Sequence, residues 1–213
     1  MDDKTEMTQP KMIGNPLTSI HAGLRDQLTS GTLRPNDFLD KLFELDQQHK
    51  DLQTCESNLQ LLEDPQVRAL IENPNNPQLQ HTFLDRLSFF RYHQAQFRAT
   101  SGDIRAAMTF DRAVEEKLRA RSYLSELLTK QETGDEVKTF IHGIIDEKTG
   151  DSLFTLYMQA NAAYMRRRAD DIKGFFVQLS KLDPEGINTK IVGNLLHAVE
   201  QNKTPDYKAD HHP

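Results

Sequence analysis

The chain has 213 residues, no tryptophan and a single cysteine, Cys55. One thiol cannot close an internal disulfide, which excludes a disulfide-stapled scaffold and suits a reducing compartment. No apolar run approaches the ~20 residues that a membrane-spanning helix needs, and the opening residues carry no apolar signal-peptide core. A soluble, cytoplasmic protein with no membrane association is therefore the expectation. Strand signals are equally scarce. No four-residue run alternates Val, Ile or Thr with polar residues, and neither Asn-Gly nor Asp-Gly occurs. The motifs of common chemistries are missing too: no Cys pair, no two histidines at helical spacing, no Gly-rich phosphate loop and no Gly-x-Ser-x-Gly elbow. No cofactor, metal ligand or catalytic residue is assigned on this basis, and an enzymatic role is disfavoured.

What is present is helical. Asn36 precedes Asp37, Phe38 and Leu39, with apolar residues continuing at Leu42, Phe43 and Leu45, a helical spacing behind an N-cap. Asp64-Pro65 reads as a cap followed by proline at the first helical position. The string Asn73-Pro74-Asn75-Asn76-Pro77 is the clearest breaker, and Pro77 opens a long segment through Phe83, Phe90 and Phe97. Later breaks predict helices near 103–131, 136–147, 152–168, 170–182 and 186–201. The pattern predicts an all-α fold of eight to ten helices, divided into an N-terminal helical region over 15–73 and a second over 77–202. Residues 1–14 and 203–213 are polar and aperiodic and are expected to be disordered.

Acidic turns recur along the second region. Asp103, Asp135 and Asp171 stand 32 and 36 residues apart, each placed to complement a helix start. Each is followed by one apolar face: Ala106, Phe110, Ala113; Val137, Ile141, Ile144; Ile172, Phe176, Leu179. Ala106-Phe110-Ala113, preceded by Phe90 and Phe97, and Leu156, Ala160, Ala163, Ile172, Phe176, Leu179 and Pro184 resemble the tetratricopeptide repeat family. The resemblance covers about 87–184. It implies antiparallel helix pairs whose first helices line a concave, peptide-binding face. That row would hold Arg91 and Arg98 in one unit and Tyr157, Asn161 and Tyr164 in a later one, aromatic and amide chemistry suited to a peptide.

Charge is unevenly spread. The net charge is -6, yet residues 1–85 carry -7, residues 86–121 carry +4 and residues 122–213 carry -3. In the basic stretch Arg91, Arg98, Arg105, Arg112 and Arg119 recur every seven residues. On one continuous helix Arg105, Arg112 and Arg119 would share a face over ~21 Å. Such a row suits an acidic protein or peptide; alternatively it is a solvated face held in local pairs such as Arg112–Glu116 and Glu115–Arg119. The acidic balance, with a pI of 5.7, disfavours nucleic acid, whose binding rests on neutralising phosphates. The leading expectation is a non-catalytic helical-repeat adaptor for a protein or peptide. Its alternatives are an all-α enzyme assembled from distant helices and a self-assembling structural bundle.

Overall fold

Proline and small capping residues decide where most helices begin. The computed structural model describes residues 16–130, 133–145 and 150–201, and every regular element among them is a helix. In order they are α1 (Pro16–Thr29), α2 (Pro35–His49), α3 (Leu52–Glu63), α4 (Pro65–Ile71) and α5 (Pro77–Thr100). Then follow α6 (Ala106–Thr129), α7 (Asp135–Ile145), α8 (Gly150–Met165), α9 (Ala169–Leu182) and α10 (Ile187–Glu200). The all-α expectation holds; the termini expected to be disordered lie outside the described residues. Asp64 caps α4 as expected, its carboxylate accepting from the N–H groups of Gln66 and Val67 at 2.8 and 3.2 Å. Asn36 does not cap α2. Pro35 takes the first helical position, because its fixed φ is already helical, and this moves the cap back to Arg34.

Two 24-residue helices, α5 and α6, form an antiparallel hairpin about 36 Å long that the other elements are built around. Their seam is lined by buried Ala95, Ala99, Ala106, Ala113 and Ala120, small side chains that let the backbones approach. Ser88 bridges the seam, its hydroxyl donating to the Ala113 carbonyl at 2.7 Å. The turn between them is a Schellman cap: Gly102 N–H donates to Ala99 O at 3.0 Å and Asp103 N–H to Arg98 O at 2.9 Å. Gly102 sits at φ +74, where a side chain would be strained. No break interrupts α6 between Ala106 and Thr129.

Three apolar clusters surround this hairpin. The first joins α1–α4 to the first half of α5, with Phe38, Leu42, Leu62, Ile71, Phe83 and Phe90 fully enclosed. It continues across the 73–77 breaker. The second packs Ala99, Phe110, Ala113 and Met158 between α5, α6 and α8. The third stacks α8, α9 and α10 around Ala160, Ile172, Leu179 and Val192, and the Tyr92 ring touches both of the last two.

Two of the predicted apolar faces are less buried than their spacing implies. Val137 is 49% exposed, since α7 is held at its middle and end, by buried Ile141 and by Arg121 donating to the Ile145 carbonyl at 2.8 Å. The side chain of Ile144 lies outside the described residues. Phe176 is half-buried: its ring lies against Gly193 of α10 and packs on the α8–α10 cluster without being enclosed by it. The turn aspartates also differ in role. Asp103 accepts from the Arg105 N–H at 2.9 Å, whereas Asp135 and Asp171 lie within the first turns of α7 and α9, complementing the dipole.

Candidate functional site

The hairpin geometry gathers most of the arginine row. Antiparallel pairing about the 101–105 turn sets the last three turns of α5 against the first turns of α6. Arg91, Arg98, Arg105 and Arg112 thereby converge on one open groove of about 190 Å³. Gln94, Met108 and Thr109 complete its lining. Arg119 continues the row on the exposed face of α6, beyond the groove.

Each arginine meets a different environment. Arg91 is the most enclosed. Its Nε donates to Glu116 Oε1 at 2.6 Å and its Nη2 to Glu63 Oε1 at 2.7 Å, so it ties α5 to α6 and α3. Burial draws its guanidinium down, but Glu116 and Glu63 more than offset this and leave it raised. Arg98 donates to Thr109 Oγ1 at 3.1 Å and, at a longer 3.4 Å, to Glu56 on α3. Arg105 pairs with Asp103 at 2.7 Å within the turn, and its side chain remains 71% exposed. Among the described residues Arg112 makes no ion pair and no side-chain hydrogen bond. The local pairs read from spacing do not form: Glu116 is buried and turns inward to Arg91.

Apolar surface accompanies these charges. Met108 is 61% exposed and Ile104, one turn before it, 84% exposed. Sequence spacing identified the arginines but not this methionine, nor the acids Glu56 and Glu63 that border the groove from α3.

The later candidates lie elsewhere. Tyr157 and Asn161 of α8 are buried, the Asn161 amide donating to the Tyr157 carbonyl at 2.8 Å. The Tyr157 ring lies 6.0 Å from that of Tyr92, edge to face, and the Tyr92 hydroxyl is raised chiefly by burial and further by Tyr157. Both side chains belong to the packing between α5 and α8. Tyr164 is half-buried at the end of α8, and it too stands apart from the groove.

One part-buried pair has a form met in catalysis. His93 Nδ1 lies 2.6 Å from Asp46 Oδ2, the histidine–carboxylate contact that orients a general base. The thiol that Asp46 influences, Cys55, donates to the Phe90 carbonyl at 2.9 Å and is held protonated, its pKa pushed far up by burial and then by Asp46. The pair joins α2 to α5 with the Phe89 ring packed 4.2 Å from the imidazole, an interhelical clamp. No group of three or more His, Cys, Asp or Glu placed to hold a metal occurs among the described residues. No helix there is long and apolar enough to cross a membrane. No family model, curated protein or solved structure matches the chain.

Proposed function

We propose that this chain is a non-catalytic, tetratricopeptide-like helical adaptor that holds a protein or peptide partner at the α5–α6 groove. The observation that carries this reading is the convergence of four arginines from two helices on one groove, with exposed Met108 among them. Mixed cationic and apolar surface of this kind is the composition of interface anchors, where Arg and Met are enriched. The successive packing of α8, α9 and α10 around Ala160, Ala163, Ile172 and Leu179 supports the repeat-like part of the reading.

The test is capture from an extract of the native host, with wild type and the Arg105→Gln/Arg112→Gln variant compared at low and moderate salt. A discrete protein retained by wild type, weakened by salt and lost from the variant is the expected result. Rim charges act mainly through association rate and are screened over ~8 Å at physiological ionic strength. Equal capture in all four samples overturns the assignment of the groove. Exposed Ile104 and Met108 also favour a second reading, self-assembly through the same face. Light scattering across a concentration series separates the two, because a self-assembling chain gains mass with no partner added.

A further inference from the structure

We infer that the mouth of the α5–α6 groove docks an acidic peptide segment bearing two carboxylates about 10 Å apart with an apolar side chain between them. The inference rests on the partner-binding reading above and specifies the chemistry of that partner. It is carried by the first two turns of α6 and the residue just before them. Arg112 is exposed and has no acidic partner among the described residues. Arg105, seven residues earlier, engages Asp103 on one side only and leaves most of its guanidinium in solvent. Seven residues of helix are about 10.5 Å, and the two cations lie on nearly the same side of α6. Met108 lies between them on that face, with Ile104 beside Arg105.

This spacing defines what fits. In a polyproline II segment, with three residues per turn and a rise of about 3.1 Å, acids at positions one and four share a face about 9 Å apart and reach both guanidinium groups, and an apolar residue between them lies against Met108. Charge complementarity favours a carboxylate-bearing peptide over nucleic acid. Glu63 and Glu116 engage Arg91 and Glu56 approaches Arg98, whereas Asp103 takes only one side of Arg105 and Arg112 has no acid among the described residues, so the cationic surplus at the groove mouth lies on Arg105 and Arg112. Two carboxylates suit that surplus. A phosphodiester strand, charged at every nucleotide, would be repelled by the acidic border that Glu56 and Glu63 form on α3, where their side chains are 47% and 51% exposed.

The test uses the full chain and a short probe peptide containing Glu-Ala-Leu-Glu in a Gly-Ser frame. Binding is followed by NMR through the Nε–Hε signals of Arg105 and Arg112 and the Met108 methyl, so that weak association is readable. Saturable shifts at all three groups are expected. Affinity should fall roughly tenfold in Arg112→Gln, the scale of one charge-assisted hydrogen bond. It should also fall with added salt, and with a Gln-Ala-Leu-Gln or Glu-Ala-Gly-Glu probe. Arg34→Gln, which removes the same charge outside the groove, should leave it unchanged. Both substituted arginines are exposed, and a circular dichroism spectrum checks that the fold is retained. Absent shifts, equal affinity in Arg112→Gln, or tighter binding of a single-stranded oligothymidine overturns the inference. If the peptide fails while host-partner capture is still lost in the double variant, only the acidic-segment inference falls. If capture also survives in that variant, the groove assignment falls with it.

Discussion

Arg91 and Glu116 meet across the α5–α6 seam at 2.6 Å, and the second carboxylate oxygen of Glu116 is buried with no hydrogen-bond partner. The same guanidinium reaches Glu63, so one side chain links three helices. Removing it strands a buried carboxylate, which costs far more than the pair contributes relative to apolar packing. Arg91→Met should destabilise by about 3 kcal/mol in denaturant unfolding, and adding Glu116→Leu should restore most of that. A near-neutral Arg91→Met would show that Glu116 finds another partner.

Acid should act on the two ends of the groove with opposite sign. The Arg105 side chain and N–H hold the Asp103 carboxyl down at about 2. A depressed acid stabilises the folded state above its ordinary value of 3.8, and that contribution is lost as pH falls through about 2. Burial raises Glu116 above its ordinary 4.5 despite the pull of Arg91 and Arg119. Its contribution is fully present below 4.5 and is lost as pH rises through the raised value, so mild acid does not weaken the fold through this residue. Carboxyl-carbon NMR titration should give a midpoint near 2 for Asp103 and above 4.5 for Glu116. A Glu116 midpoint under 4.5 would reverse the sign argued for it.

Phe110 is fully enclosed and Phe176 keeps an exposed edge, so equal spacing does not mean equal cost. Phe110→Ala should destabilise by about 3–5 kcal/mol, through lost transfer energy and a cavity the Ala-lined seam cannot close. Phe176→Ala should cost about half as much, because part of its surface stays in water in either state. Thermal or urea unfolding of the two variants checks the order; a larger loss at Phe176 would contradict the packing.

Helix α8 ends in a Schellman cap in which Arg167 N–H donates to Tyr164 O at 2.8 Å and Arg168 N–H to Ala163 O at 3.0 Å. The residue holding the left-handed position, φ 55, is Arg167 rather than glycine. Arg167→Gly should therefore stabilise the chain by about 1 kcal/mol, the strain released slightly exceeding the added chain entropy. A lower unfolding midpoint in this variant would mean that the Arg167 side chain contributes more than its backbone costs.

The helices were legible where the chemistry is local. Pro65 and Pro77 mark their own starts, and the missing alternation excludes strands among the described residues. The continuity of α6 was legible only as the absence of a breaker. What spacing could not reveal is which side of a helix its neighbours occupy. Tyr157 and Asn161 share α8 with buried Thr155, Met158, Ala160, Ala162 and Ala163, so that helix is covered on nearly all sides and no outward row survives. Glu56 and Glu63 meet Arg98 and Arg91 across tens of residues of chain, a pairing set by how α3 docks on α5. The convergence of the arginines was within reach, since once 101–105 is taken as a hairpin turn, positions mirrored about it face one another.

The α5–α6 hairpin also sets an order of assembly. Its contacts join residues close in sequence, so closing it costs little chain entropy, whereas α1–α4 and α8–α10 need a preformed surface on which to dock. The hairpin is the expected folding nucleus, and the two flanking layers condense on it separately because they use different parts of its length. Ala113→Gly should then slow refolding, while Leu179→Ala should chiefly speed unfolding, a difference that stopped-flow kinetics separates. A nucleus carrying the arginine groove at its turn end would have those guanidinium groups gathered before the outer helices are seated.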